Sequence, residues 1–530
     1  MTDFHVITID IGTQSVRVAL FNQRGEVEGF EKETYEPAYF SPQPNFAEQD
    51  PRYYFDCIAK CAKRLARRFK EETANAKGIT MSCFRDSPVF LDENYEVVRP
   101  TIVWLDQRLA ECKEPLPAFS RFLFRLVGKT DTIVSNRRRC PSNWLKENEP
   151  ENWARIKKYV PVSTYINYRL TGRLADSSSN MSGHFPIDFK KGGWYKNPEK
   201  HLTGQIFSLT SDMLAEIVPE GSPIGHLTKE ASELLGLPES LILYACGSDK
   251  SCETLGLGVI SPDKAAFSYG TASTVETTKT TYTESEPFLP AFKACVPGYY
   301  NMDIQIYRGY WMVNWFLKEF AGKKVDDLVS HELSAADLEE YLKKAPAGCN
   351  GLVLQPYWGP GLARPLAKGA IIGWSDATGR EHMYRAIIEG ICYALREGTE
   401  HFEKKNRCPI KEIRVSGGGA QSDTICQITA DIMGRPVVRV QTTETGSLGA
   451  AIAGFLASGV YKNVEEALNA MVRVKDTFLP DPETHETYDY LYNEVYEKLY
   501  PSLDKSYKAI KKLNEKETKR RLALRREQSK

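Results

Sequence analysis

The N-terminal pattern opens on an apolar run, Val6-Ile7-Thr8-Ile9, passes through Asp10-Ile11-Gly12-Thr13-Gln14-Ser15, and resumes as Val16-Arg17-Val18-Ala19-Leu20-Phe21. Two β-type runs around a glycine turn predict a strand, a tight hairpin and a second strand over 6–21. Glu26–Phe30 predicts a third strand. Apolar residues at helical spacing predict a helix from Pro51 to Phe69. Lys77–Cys83 reads as a buried strand ending at Phe84-Arg85-Asp86-Ser87. A mainly helical stretch is expected to about residue 180, with Gly172 closing one helix. Leu241–Cys246 predicts a strand running into Gly247-Ser248-Asp249-Lys250, and Ser251–Gly258 a helix.

The hairpin pattern returns in the second half of the chain, where Ala265–Tyr269 leads into Gly270-Thr271-Ala272-Ser273 and a β-branched run. Helices are expected near 310–321 and 381–404. A strand–glycine–helix unit follows over Ile413–Ala420 and Asp423–Met433, then a strand at Pro436–Val440 and a small-residue helix at Gly446–Gly454. From Tyr488 the pattern is helical and increasingly charged. Lys505–Arg526 reads as a solvated, partly frayed basic helix, with a docking arm for an acidic partner as the alternative. In both hairpins glycine is expected at a backbone position that other residues resist. Such a turn points N–H groups and small hydroxyls outward, which suits a phosphate. Two copies at the heads of two similar halves suggest two domains gripping one polyphosphate from opposite sides.

At 530 residues the chain is too long for one core and fits two elaborated domains. It is 42% hydrophobic and 26% charged with zero net charge, which argues against nucleic acid or an acidic membrane as the main partner. Twelve cysteines without metal-type spacing or Cys-x-x-Cys read as reduced, mostly buried thiols of a cytoplasmic protein. The chain enters a strand with no signal-like start, and no apolar run spans a bilayer.

Four features in order, Asp10-x-Gly12-Thr13-x-Ser15, Trp104-x-Asp106-x-Arg108, Gly247-Ser248-Asp249 and Gly418-Gly419-Ala420, resemble the FGGY carbohydrate kinases, which include glycerol, xylulose, ribulose, gluconate and autoinducer-2 kinases. Gly369–Trp374 through His382–Glu389 is similar to the family's C-terminal signature, with Trp374 where a smaller aliphatic is usual. Pro141-Ser142-Asn143-Trp144-Leu145 keeps the Trp-Leu of the N-terminal signature but has Pro where Lys is typical. The resemblance runs from residue 6 to about 475. It implies an α/β fold of two actin-like (ribonuclease H-like) domains with an active-site cleft between them. Residues 1–255 would take acceptor sugar, phosphate and Mg²⁺, and 256–480 the nucleotide, with 481–530 a helical, basic tail.

The resemblance makes Asp249 the general base for a sugar or polyol hydroxyl attacking ATP. The alternative is a helix N-cap, a role Ser248 can also fill. Asp10 suits Mg²⁺ through water, against a hairpin-capping role. Thr13, Gln14 and Ser15 would face the β/γ-phosphates, with Arg17 adding charge; Gly270, Thr271 and Ser273 would do the same from the other domain. Gly418, Gly419 and Ala420 would lie against the adenosine, with Ser422, Asp423 and Asn314 beside it. Arg85 and Asp86 stand where glycerol and autoinducer-2 kinases carry Arg-Glu and xylulose kinases Met-His, so vicinal hydroxyls are expected there. That leans the acceptor toward glycerol-, tetritol- or autoinducer-2-like molecules, with a pentulose as the alternative. Trp104 would wall the sugar carbons, Asp106 and Arg108 would hold that wall by a local ion pair or serve a structural role, and Asn136 matches a substrate-touching position. Arg137-Arg138-Arg139 reads as a solvated face, or as a sign of an anionic acceptor. Relatives are often dimers or tetramers. The rival functions are an actin- or Hsp70-like ATPase and a non-catalytic sugar sensor with the same ATP cradle.

Overall fold

The structure, a computed structural model, describes residues 4–181, 183–286, 289–320, 335–359, 364 and 366–528. It falls into two compact units. The first comprises Met1–Ile260, Thr278–Met302 and Glu444–Arg473, and the second Ser261–Thr277, Asp303–Thr443 and Val474–Lys530. The expected boundary at 255 lies close to the end of the first long segment, yet the chain returns to the first unit twice. The second return has a packing cause. The helix Thr445–Ala457 crosses the helix Asp249–Gly256 backbone to backbone, because Gly449 and Gly256 carry no side chains at the crossing.

The first unit is built on a six-stranded sheet in the order Pro223–His226, Ile242–Tyr244, Ile79–Cys83, His5–Ile11, Ser15–Asn22, Val27–Thr34. The three inner strands Ile242–Tyr244, Ile79–Cys83 and His5–Ile11 run parallel, and the flanking pairs are antiparallel. Continuous apolar runs suit strands covered on both faces, and every residue of Ile79–Cys83 is buried. Helix Pro51–Arg68 covers one face with Tyr54, Phe55, Ile58, Cys61 and Leu65. It starts on the Asp50 cap with Pro at the first turn. Helix Thr445–Ala457 packs close to the same sheet: Thr80 Oγ1 donates to Ala450 O at 2.8 Å, and a Cβ on Gly454 would meet Val6 at 2.7 Å. The stretch before 180 is less helical than the sequence pattern suggests. It includes strands Pro88–Leu91, Val97–Arg99, Lys158–Pro161 and Ala175–Ser177. Gly172 closes its helix at φ 75°, as expected.

The second unit's sheet repeats this order. Tyr300–Ile306 neighbours Ser273–Lys279, followed by Lys264–Tyr269, Glu412–Gly417, Val437–Val440 and Val474–Phe478. Again the first hairpin is antiparallel, the next two pairings are parallel, and the last is antiparallel. Its long helix, Arg380–Asn406, is buried over much of its length. The family-signature residues Arg385 and Glu389 form a buried ion pair there at 2.8 Å, and Tyr488 OH donates to Glu389 Oε1 at 2.7 Å. Tyr488, Tyr492 and Tyr496 are fully buried, so the start of the expected tail belongs to the core of this unit. Helix Glu497–Gln528 continues from it; the described side chains beyond Tyr507 are exposed apart from the half-buried Glu517.

Candidate active site

The parallel strands of an α/β sheet deliver ligand-binding segments at their C-terminal ends. In the first unit these ends carry three segments singled out from sequence. Strand His5–Ile11 leads to Gly12-Thr13, Ile79–Cys83 to Arg85-Asp86, and Ile242–Tyr244 to Gly247-Ser248-Asp249. The register puts Asp10 beside Ser82 and Ile11 beside Cys83, and a bridge joins Cys83 to Ser248. The three segments therefore lie side by side.

Asp249 is the first residue of its helix. Ser248 is the cap: its hydroxyl accepts from Ser251 N at 3.4 Å. The capping alternative for Asp249 thus goes to its neighbour, and the Asp249 side chain keeps part of its surface open. Burial raises its carboxyl above the ordinary aspartate range, while Lys250 and Arg85 pull it down. Gly247 is required by contact: a Cβ there would stand 2.3 Å from Ser179 Oγ and 2.7 Å from Cys295 Cβ. Ser177 Oγ, which donates to Cys246 O, and the buried Asp176 carboxylate, which accepts from Ser163, Thr164 and Asn180, fix the segment beneath it.

Asp10 pairs with Arg17 at 3.0 Å, and Arg17 Nε lies 3.1 Å from Glu444. Burial raises the Asp10 carboxyl, Arg17 lowers it and Glu444 raises it. Arg17 therefore sits between two carboxylates of its own unit, an arrangement the sequence pattern did not reveal. Thr13 Oγ1 accepts from Trp104 Nε1 at 2.9 Å, and Trp104 N donates to Ser87 Oγ at 3.0 Å. This ties the indole to both the Gly12 turn and the end of the Arg85 segment. Gln14 is exposed and Ser15 buried. Gly12 is not in the left-handed region; its reason is contact, since a Cβ would meet Ser15 O at 3.2 Å.

Arg85 stacks on Phe292 with its guanidinium carbon 4.6 Å from the ring centre. Asp86 takes a left-handed backbone, φ 59°, and its Oδ1 lies 3.1 Å from His184 Nδ1. Asp106 and Arg108 do pair, at 2.8 Å, but Arg108 also binds Glu48 at 2.6 Å and covers the rings of Phe46 and Trp144. The pair thus holds the 46–49 and 140–145 segments rather than Trp104. Asn136 is half-buried on helix Thr130–Arg139. At that helix's C-terminal end Arg137 and Arg138 donate to the carbonyls of Glu114 and Ala110, a placement that also suits the helix dipole.

In the second unit the register sets Tyr269 beside Gly417, so the Gly270 turn and the triple glycine adjoin. Gly270 repeats the contact rule of Gly12, with a Cβ 3.2 Å from Ala272 O. Gly417 is the conformationally demanding one, at φ 82°, and Gly419 leaves room for Tyr269 and Tyr310. Thr271 is exposed. Ser273 differs from expectation: it is fully buried, and its hydroxyl accepts from Tyr310 N at 3.1 Å, which locks the turn to helix Trp311–Phe320. Asn314 lies on the exposed face of that helix. Gly418 is exposed, while Ala420 is buried. Ser422 caps helix Asp423–Met433 and donates to Glu339 at 2.6 Å. Asp423 pairs with Arg439 at 2.7 Å. Sequence reasoning missed Glu339, Arg439, Tyr310 and His184, none of which lies in a glycine motif.

Among the described residues no three His, Cys, Asp or Glu side chains are grouped to hold a metal ion. A hydrated Mg²⁺ shared with phosphates needs only a carboxylate or two, and the half-buried Asp10 with Glu444 near Arg17 is compatible with that. No described helix is long and apolar enough to cross a membrane.

Solved carbohydrate kinases share this architecture: gluconate kinase from Lactobacillus acidophilus superposes with a TM-score of 0.80 over 96% of this chain and all of its own, at 22% identity. The N-terminal and C-terminal domain models of the FGGY family of carbohydrate kinases match residues 5–256 and 265–458. The chain belongs to that family. A xylulose kinase from Lactococcus lactis is 28% identical over 94% of this chain and 96% of its own length. A glycerol kinase from Thermococcus gammatolerans is also 28% identical, over 91% and 94%. Family membership resolves the choice between a carbohydrate kinase and an actin- or Hsp70-like ATPase in favour of the kinase.

Proposed function

We propose that the protein transfers the γ-phosphoryl group of ATP to a hydroxyl of a small sugar or polyol, with Asp249 as general base. The observation that carries this reading is the convergence of the Gly12-Thr13, Arg85-Asp86 and Asp249 segments at adjacent strand ends of one unit. Asp249 would orient the hydroxyl and take its proton as the new bond to phosphorus forms. Phosphoryl transfer asks mainly for positioning and charge neutralisation. Asp10 would hold Mg²⁺ through water, and Mg²⁺ would neutralise phosphate charge. With Arg17 held by Asp10 and Glu444, its role becomes tuning Asp10 rather than contacting phosphate. Thr13, Gln14 and Ser15 remain the phosphate-facing turn. Gly270, Thr271, the 417–420 glycines, Ser422, Asp423 and Asn314 would take the nucleotide. The buried Ser273 would serve by holding its turn. Twelve free cysteines suit a reducing cytoplasm.

Equal identity to a xylulose kinase and a glycerol kinase leaves the acceptor to the site residues. Arg85 donates in a fixed fork and Asp86 accepts, which favours vicinal hydroxyls of a glycerol- or tetritol-like polyol; a pentulose such as xylulose is the second reading. The test is ADP release with Mg-ATP against D-xylulose, D-ribulose, glycerol, erythritol and D-gluconate, beside Asp249→Asn. The expected result is one preferred acceptor and a kcat for Asp249→Asn lower by about 10²–10⁴ with ATP binding retained. Wild-type-like turnover in that variant would rule out the base.

A further inference from the structure

We propose that His184 is a positioning residue for the acceptor: its imidazole holds the Asp86 carboxylate in place and so sets acceptor affinity without entering the phosphoryl transfer. The inference rests on the reading of Arg85-Asp86 as the acceptor pair.

Three observations converge on it. Asp86 sits in the left-handed backbone region at φ 59°. A non-glycine residue there costs conformational energy and persists where its surroundings fix it, often at ligand sites. His184 Nδ1 lies 3.1 Å from Asp86 Oδ1, with the imidazole side chain 22% and the carboxylate 36% exposed. That nitrogen is itself buried and lacks a hydrogen bond of good angle. A buried polar atom without a partner calls for an explanation. Catalytic-site hydrogen bonds are often loose before substrate binds and tighten in the complex.

The segment bearing His184 is well supported. Met181 and Phe185 on either side are buried, and the Phe185 ring packs on Tyr159 at 5.2 Å and near Trp194 at 6.1 Å. An imidazole on such a support can fix a carboxylate on a loop, in the way that outer groups orient binding residues. The guanidinium of the neighbouring Arg85 is stacked on Phe292. A hydrogen bond from His184 Nδ1–H to Oδ1 that tightens once the acceptor is bound would hold the carboxylate in place.

The test uses the full-length protein and whichever of D-xylulose, D-ribulose, glycerol, erythritol and D-gluconate it phosphorylates. His184→Ala is expected to raise the acceptor KM about tenfold or more, the scale of a lost hydrogen bond to a charged group. Its kcat and ATP KM should stay within about threefold. His184→Asn, whose amide nitrogen can replace Nδ1, should recover most of the loss; His184→Gln should not, and it substitutes for His184→Ala if that variant folds poorly. In an Asp86→Asn background, His184→Ala should add nothing. An unchanged acceptor KM in His184→Ala, or a kcat loss as large as the KM gain, overturns the inference. If Asp86→Asn itself leaves the acceptor KM unchanged, or none of the five acceptors turns over, the acceptor reading falls first.

Discussion

Gly449→Ala separates two opposed forces by sign. In a helix interior alanine is favoured over glycine by about 1 kcal/mol, so local propensity alone predicts a more stable protein. The crossing of helices Asp249–Gly256 and Thr445–Ala457 predicts the reverse. A Cβ on Gly449 would lie 1.8 Å from Cys252 O, and one on Gly256 would lie 1.9 Å from Thr445 O. Both obstacles are backbone, so no rotamer change relieves them. Reaching even the 3.0 Å that real Cβ contacts essentially never fall below needs a separation of at least about 1.2 Å. Overpacking of this kind costs about 1–3 kcal/mol. With backbone on both sides the upper end applies, so the net loss is about 2 kcal/mol after the propensity gain. In a unit of this size the thermal midpoint should fall by about 3 °C. Because the displaced helix begins at Asp249, a shift near 1 Å should also lower kcat by about 10²-fold. Gly446→Ala on the same helix is the internal control for stability, since its Cβ would meet its nearest atom, Asp10 Oδ1, only at 3.8 Å. Thermal unfolding and ADP-release kinetics on the two variants suffice. A Gly449→Ala protein as stable and as active as the parent would refute the contact argument and the coupling of this crossing to Asp249.

Two further outcomes are expected. Asp249 must be ionised to act as base, and burial raises its carboxyl, so kcat at saturating acceptor should decline on acidification with a midpoint above the ordinary aspartate value. Arg85 lowers that carboxyl, so Arg85→Ala should move the acid limb to still higher pH; a limb that stays put or moves down contradicts the assignment. In the second unit, Glu389→Gln leaves the Arg385 guanidinium buried without its carboxylate and should destabilise by about 3–5 kcal/mol. Denaturant unfolding measures it, and a loss below about 1 kcal/mol would mean the network with Tyr488 reorganises.

Local features were legible where cause and effect lie within a few residues. The two glycine hairpins, the Ser248 cap and the helix end at Gly172 follow from short patterns, and the structure has all of them. The reason for the hairpin glycines was misread: neither Gly12 nor Gly270 has a positive φ, and in each a carbonyl crowds the Cβ direction at 3.2 Å. The burial of Ser273 was hidden because its partner, Tyr310 N, belongs to another element. The pairing of Arg17 with both Asp10 and Glu444 was hidden because Glu444 lies in a segment distant along the chain. The return of 444–473 to the first unit depends on contacts such as Thr80 to Ala450, which no periodicity encodes.

The two sheets repeat one strand order while their strand ends carry opposite chemistry. At the ends of the first sheet stand buried or partly buried carboxylates, Asp10 and Asp249, each raised by desolvation and lowered by an arginine of the same unit. At the ends of the second stand glycines and a capped helix, with the Asp423 carboxylate paired to Arg439. A shared topology thus accounts for why both units bring candidate segments to the same edge, and the proposed division into a proton-handling and a nucleotide-cradling half rests on the residues at that edge alone. The signature around Arg385 and Glu389 fits this division, because its charges are spent inside the second unit on Tyr488 and the backbone of Gly348 and Leu342. Residues that mark the family are therefore of two physical kinds: those that stand at strand ends, and those that hold the core behind them.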